Sequence, residues 1–346
     1  MKQLLIYFML SYCPQLIAQQ YPSVDITDPE IVKEWAASSQ VPAIAIATIE
    51  NGTLDQLLAV GTIQGSLPAQ SNTIFDVASL TKTITTTLTL QLVSEGLWSL
   101  DEPLYRYWVD PDIKDDSLHK KITTRHVLSH RTGFANWRWM HKTKKLTFEF
   151  EPGSKFQYSG EGFEYLKKAL ENKFDTSFEK LVDSLVFKPN QMTSSHLVWN
   201  KNIDTTRFAG TYDTTGNLYA CKKAFKANAA DNLLTTIKDF GQLSTNIINR
   251  QLFDQKIYGE MISPQSVVRE GISFGLGWIV FNDLPNGEFA LFNAGSDQGV
   301  NALIVLLPQS RRGLIVFTNG DNGRGLAMRV IGESLGEAGK EILSRF

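Results

Sequence analysis

The chain has 346 residues, with 34 basic and 36 acidic side chains and a formal net charge of −2. Hydrophobic residues make up 42% and charged residues 20%, a globular balance that excludes a disordered tail, a collagen-like repeat and a disulfide-stapled miniprotein. The small net charge and the lack of long basic runs argue against nucleic acid as a partner, and the length allows a sizeable core.

At the N-terminus, Lys2 and the apolar run 4–10 have the layout of a secretory signal, with cleavage expected after Ala18. The run is too short to span a bilayer, and no later stretch reaches 18 apolar residues, so no transmembrane segment is expected. Residues 1–18 therefore read as a signal peptide and 19–346 as a single folded unit, exported to the periplasm or the medium. Leu10-Ser11-Tyr12-Cys13 is similar to a lipid-anchoring box, although the bulky Tyr12 fits it poorly. Cleavage after Ala18 would leave Cys221 as the one cysteine, with no intramolecular disulfide.

Residues 41–50 and 54–60 flank Asn51-Gly52 and predict a β-hairpin. A helix is expected over 80–95, closed by Gly96, and others over 124–130, 161–172, 178–185 and 237–248, the last entered through Thr235-Thr236. Strands are expected at 274–281, 289–293, 302–307 and 313–318, followed by a closing helix over 326–343. This order predicts an α/β (α+β) fold. An antiparallel sheet is built from both chain ends, about 19–75 and 270–346, and flanked by helices, with a mostly helical region inserted at about 76–269.

Three short segments carry candidate chemistry. In Ser79-Leu80-Thr81-Lys82, a helix puts serine and lysine on one face, where a desolvated lysine can accept the hydroxyl proton. The same spacing recurs at Ser117/Lys120 and Ser177/Lys180, but in polar surroundings. Ser79 instead opens a helix with no charged residue between Lys82 and Glu95, expected to be buried all round. A lysine at its start either serves catalysis or reaches the surface. A rival nucleophile, Ser273 in Gly271-Ile-Ser-Phe-Gly275, is rejected because a strand follows it where an elbow needs a helix.

Tyr158-Ser159-Gly160 lies between the turn Glu151-Pro-Gly-Ser154 and a helix, so Tyr158 either projects into a cleft or simply packs. Asn293-Ala294-Gly295-Ser296 ends a strand and begins a turn. Its small residues let a substrate lie against the strand edge, and the Ser296 N–H could join that of Ser79 in an oxyanion hole. His126 and His130 stand four apart, but no H-E-x-x-H pattern exists and no metal site is expected. The aromatic, basic stretch 137–145 is too short for a nucleic-acid surface and reads as a loop on a cleft rim.

In this order, the segments resemble the serine β-lactamase and penicillin-binding-protein superfamily, specifically its class C-like β-lactamase family. That family includes D-alanyl-D-alanine carboxypeptidases, esterases and D-amino-acid amidases. Phe75-Asp-Val-Ala-Ser-Leu-Thr-Lys82 is similar to its nucleophile segment, and Gln91-Leu-Val-Ser-Glu-Gly96 with Leu100-Asp-Glu-Pro-Leu104 to the helix end and turn after it. Val127-Leu-Ser-His-Arg-Thr-Gly133 is similar to L-S-H-x-S-G, which makes His126 and His130 structural. Glu151-Pro-Gly-Ser154 with Tyr158-Ser159-Gly160 resembles P-G-x-x-F-x-Y-S-N, and Asn293-Ala-Gly295 holds the place of K-T-G or H-x-G.

The resemblance implies a serine hydrolase that needs no cofactor and acts on a small-molecule or peptide ester or amide through an acyl-enzyme. It implies Ser79 as nucleophile, Lys82 as its activating partner and Tyr158 as general base or proton shuttle. The N–H groups of Ser79 and Ser296 would bind the oxyanion. Two positions depart from the pattern: Asn293 replaces a cation, and Gly160 replaces an asparagine amide. The first departure favours a neutral ester or amide over penicillins and peptidoglycan stems, and the second removes an amide that would contact the substrate. A β-lactamase or carboxypeptidase, an acyltransferase and a non-catalytic ligand- or peptidoglycan-binding descendant are the alternatives.

Overall fold

A computed structural model describes residue 26 and residues 28–346, so the expected export signal and Cys13 lie outside the described residues. The N-terminal part contributes β1 (Ala43–Glu50), β2 (Thr53–Gln64) and β3 (Leu67–Pro68), while β4 (Ile74–Asp76) and β5 (Leu234–Thr236) pair by themselves. The C-terminal part contributes β6 (Ser266–Arg269), β7 (Ile272–Phe274), β8 (Ile279–Leu284), β9 (Glu288–Asp297), β10 (Val300–Leu307) and β11 (Arg312–Thr318). The helices are α1 (Pro29–Ser38), α2 (Thr81–Ser94), α3 (Thr124–Leu128), α4 (Gly160–Phe174), α5 (Phe178–Val182), α6 (Ile237–Ile248), α7 (Gln255–Ile262), α8 (Gly323–Ser334) and α9 (Gly336–Ser344).

The main sheet runs β3-β2-β1-β11-β10-β9-β8-β7-β6 and is antiparallel throughout. The β1–β11 pair, with Ile44 opposite Thr318 and Ile49 opposite Gly313, joins the two chain ends. Side chains on a strand alternate between faces, and β1 uses both. Ala43, Ala45, Ala47 and Ile49 enter the larger core with Phe240 and Leu243 of α6. Ile44 and Ile46 enter the other core, with Val32 and Trp35 of α1, Val330 of α8 and Ile342 of α9. Both faces are thus covered, which accounts for the near-continuous apolar run of β1.

Several expected boundaries shift. The strand expected over 274–281 is two strands, β7 and β8, because the Gly275 N–H bonds the Trp278 carbonyl and turns the chain back. The single closing helix is α8 and α9, broken where Gly336 takes φ 60°. The inserted region is less helical than expected: 188–233 contains only a one-turn helix and isolated bridges. Helices α1 and α7, the short β4–β5 pair and edge strand β6 were not expected from the pattern. β6 follows a polar stretch and pairs on only one side.

Helix α2 goes against local propensity. Thr81, Thr83, Thr85, Thr86, Thr87 and Thr89 are β-branched and disfavour a helix in isolation. All are buried, where a hydroxyl without a partner is costly, and of the six only Thr86 Oγ1 has none. Thr87 and Thr89 donate to carbonyls one turn back, at 2.8 and 2.7 Å, and Thr85 donates to the Ala229 carbonyl at 2.6 Å. Tertiary burial therefore imposes this helix, and it carries Lys82 into the interior.

Candidate active site

Strand β4 leads through a tight turn, Ala78–Leu80, directly into α2. Ala78 holds φ 45°, a left-handed conformation that costs a non-glycine residue about 1–3 kcal/mol. Its surroundings fix it there. Asp76 Oδ1 accepts the Ala78 N–H at 2.8 Å, and Thr81 Oγ1 donates to the Ala78 carbonyl at 2.6 Å while accepting the Leu233 N–H at 2.9 Å. Ser79 is thus presented half-exposed at the start of a buried helix. Lys82 is 3% exposed, and its Nζ donates to Ser79 Oγ at 3.1 Å and to the Ala230 carbonyl at 2.8 Å.

The second expected segment meets the first across this lysine. Lys82 Nζ lies 4.7 Å from the Tyr158 ring centroid and 5.7 Å from that of Phe163, so two aromatic faces help replace its lost hydration. Tyr158 is held from behind by His130, whose ring stacks on it at 4.3 Å with a 32° tilt. His130 Nδ1 accepts the Ser159 N–H at 3.1 Å. Burial, helped by the Lys82 charge, keeps the imidazole well below its usual range, so it is neutral with its proton on Nε2.

His126 does not face His130. Helix α3 ends at Leu128, His130 takes φ 53°, and His126 Nδ1 turns to the Lys121 carbonyl at 3.1 Å. Among the described residues no group of three or more His, Cys, Asp or Glu could hold a metal.

The third segment sits differently from the expectation. Residues 293–296 lie inside β9, which continues to Asp297, and Ser296 pairs with Asn301 of β10 before the chain turns at Gln298-Gly299. A Cβ on Gly295 would collide with the Val77 carbonyl oxygen and lie 2.9 Å from the nitrogens of Ser79 and Leu80. Only glycine lets β9 approach the Ser79 turn this closely. Ser296 Oγ donates to Asn301 Oδ1 at 3.3 Å. Asn293 is nearly buried, and its Nδ2 donates to Thr83 Oγ1 at 3.2 Å and to the Gly277 carbonyl at 2.8 Å. Its amide hydrogens are engaged in bracing β9 against α2. Gly160, two residues past Tyr158, is covered by the Trp137 ring.

The decoys separate as expected. Lys120 and Lys180 are exposed, and Ser177 caps its own helix. Ser273 is buried in strand β7, where its Oγ accepts from Asn282 Nδ2 at 3.2 Å.

Sequence reasoning gave no role to Asp76 or Asp231, and it placed Trp137 only on a loop at the cleft rim. Burial pushes the Asp76 carboxyl up to about 7, and Asp231 and Asp297 add to the rise against the lowering by the Ala78 N–H and Lys222. Burial also raises Asp231, opposed chiefly by the Lys82 charge. Both acids adjoin elements of the motif (Asp76 through Ala78, Asp231 through Ala230); Asp76 lies inside the quoted 75–82 segment, while Asp231 has no spacing that marks it.

Comparison with known proteins identifies the family and the fold. The profile of the family described as Beta-lactamase matches residues 29–331. Penicillin-binding protein 4* of Bacillus subtilis is 24% identical over 288 residues, covering 73% of this chain and 62% of that protein. Protein flp of Staphylococcus aureus is 21% identical over 316 residues, covering 84% of this chain and 62% of that protein. The chain thus spans less than two thirds of the length of these curated relatives. Among solved structures, the octameric penicillin-binding protein homologue from Pyrococcus abyssi superposes with a TM-score of 0.78 at 22% identity, covering 92% of this chain and 79% of that one. The D-amino acid amidase from Ochrobactrum anthropi SV3 superposes with a TM-score of 0.74 at 18% identity, covering 90% and 98%. These likenesses establish the shared fold.

Proposed function

Because the chain belongs to the β-lactamase family, we propose that it is a serine hydrolase that works through an acyl-enzyme on a neutral ester or amide. The observation that carries this reading is the buried Lys82, with Nζ 3.1 Å from Ser79 Oγ and beneath the Tyr158 ring. Ser79 Oγ attacks the carbonyl carbon, and its proton passes through Lys82 and Tyr158 to the leaving group. The acyl group stays on Ser79 until water attacks the new ester and frees the acid. Proton transfer by positioned groups supplies about 10²–10⁴ in rate. The oxyanion falls to the N–H groups of Ser79 and Ser296, on the two segments that Gly295 lets meet.

Asn293 carries no charge, and its amide hydrogens already have protein partners. The site so constituted has no cation at that position for a substrate carboxylate, which favours neutral esters and amides over penicillins. Export is part of the proposal and rests on the composition of residues 1–18; a secreted protein beginning at Gln19 is the expected product. Among the described residues no helix is long and apolar enough to cross a membrane.

Incubation with a fluorophosphonate and with labelled penicillin, followed by peptide mapping, tests the reading. Label on Ser79 that is absent in Ser79→Ala is the expected result. Absence of label from both probes on folded protein would favour a ligand-binding descendant. Turnover of short p-nitrophenyl esters is expected to exceed that of a chromogenic cephalosporin, and the reverse order of kcat/KM would refute the argument from Asn293.

A further inference from the structure

We propose that Trp137 is the apolar wall of the acyl-binding side of this site and selects aromatic or branched-alkyl acyl groups over acylamino groups. The inference rests on the hydrolase reading and adds a substrate class to it.

Gly160 is the first residue of α4 and lies two residues past Tyr158. A Cβ at this position would lie 2.7, 2.8 and 2.9 Å from Cη2, Cζ2 and Cζ3 of Trp137. The benzene half of the indole therefore fills the volume that any side chain at 160 would enter. Where the resembled pattern has an amide, this chain has an aromatic ring supplied by another segment.

The backbone that carries the ring is held on both sides in the chain. The Asn136 carbonyl accepts the Gly160 and Glu161 N–H groups, both at 3.0 Å, and Asn136 Oδ1 accepts the Gly160 N–H at 2.8 Å. On the other side, the Arg138 N–H donates to Glu161 Oε1 at 2.8 Å. The Arg138 guanidinium bonds Glu161 Oε2 and Asp110 Oδ2, each at 2.9 Å. Glu161 and Asp110 are both buried, so these charge-assisted bonds are shielded on the carboxylate side, while the Arg138 side chain is 34% exposed. Trp137 between them covers Gly160 and remains half-exposed.

An indole face offers an acyl group no acceptor, and its one donor is at the ring edge. An acylamino group laid against it would lose water without gaining a partner, whereas an aromatic or branched-alkyl group gains burial and ring contact. A site that lacks the hydrogen-bonding partner of a polar substrate discriminates against that substrate.

The test uses two reversible ligands that bond to the nucleophile: 2-phenylethylboronic acid and acetamidomethylboronic acid. Each forms a B–O bond to Ser79 Oγ as the serine proton leaves to solvent, so affinity is read without turnover. The expected result is that the parent protein binds the phenylethyl compound about tenfold or more tightly than the acetamido compound. Trp137→Phe keeps that ratio, Trp137→Ala brings it close to one, and Trp137→Ala combined with Gly160→Asn reverses it. Equal binding of the two compounds by the parent overturns this inference and leaves the hydrolase reading standing. So does an unchanged ratio in folded Trp137→Ala. Binding of neither compound overturns the hydrolase reading, and the inference with it.

Discussion

Helix α2 and strand β9 both border Ser79, but they use their polar side chains in different ways. On α2, Lys82 points its ammonium at the Ser79 oxygen. Thr85, Thr87 and Thr89 spend their hydroxyls on carbonyls, and Thr83 takes the Asn293 amide, so these side chains pack and brace the helix while the lysine is the one that reaches Ser79. On β9, Asn293 points its amide away into packing, and Gly295 contributes only backbone. The difference separates two jobs. In the proposed mechanism the reacting atoms need charge at a fixed place, and α2 would supply it. β9 supplies surface and close approach, and a neutral residue that braces it can replace a charged one without disturbing the serine–lysine pair.

Four substitutions probe that division. The largest effect is expected at Ser79 itself: Ser79→Ala lowers ester hydrolysis by about 10⁴-fold or more, measured with a p-nitrophenyl ester, with Tm little changed. Lys82→Ala follows at about 10²–10⁴-fold. It also costs about 1–3 kcal/mol in urea unfolding, because the buried Ala230 carbonyl loses its donor. If Lys82→Ala keeps near-parental activity, α2 is a scaffold and the contrast fails.

Gly295→Ala tests the other side. Its methyl group meets the Val77 carbonyl, so β9 must back away from the Ser79 N–H. Overpacking of about 1–3 kcal/mol and a loss of about 10²-fold in kcat are expected together. An unaffected kcat would separate β9 from the oxyanion. Asn293→Leu is expected to do the reverse, costing about 1–3 kcal/mol by orphaning the Gly277 carbonyl while changing kcat less than tenfold. A kcat loss as large as that of Lys82→Ala would return Asn293 to the chemistry.

The smallest effect concerns pH. The Asp76 carboxyl binds its proton more tightly folded than unfolded, since its pKa rises from 3.8 to about 7. Its contribution is therefore fully present below about pH 4 and is lost as pH rises through 7. Asp76→Asn keeps an acceptor for the Ala78 N–H and should raise Tm at pH 8 but not at pH 4. His130 has the opposite sign. Its lowered pKa stabilises the fold above about pH 6.5, and this contribution is lost on acidification below that.

The sheet was legible in the sequence because its central strands are long, apolar and bounded by turn residues, as in 41–50 and 313–318. The Ser79-to-Lys82 spacing was legible because a helix with no other charge until Glu95 makes one lysine conspicuous. Residues 188–233 were misjudged because isolated bridges and bonds to remote segments, not a periodic face, hold that stretch: Ala229 and Ala230 matter through their carbonyls, which no residue type announces. The role of Gly160 needed coordinates, since the ring that covers it comes from Trp137, a separate segment. Asn293 could be read as an uncharged substitute, but not as a brace, because its partners Thr83 and Gly277 are remote in sequence.

The close approach at Gly295 also has a bearing on timing. The Ser79 turn is synthesised early, but the strand that lies against it arrives more than 200 residues later and is held by β10, with β11 beyond it. A chain interrupted before this final segment folds would own its serine and lysine yet have half an oxyanion site. If the proposed esterolysis holds, it would report completed folding. A chain kept unfolded for passage across a membrane would cross it chemically silent, and its activity would begin where its last strands pair.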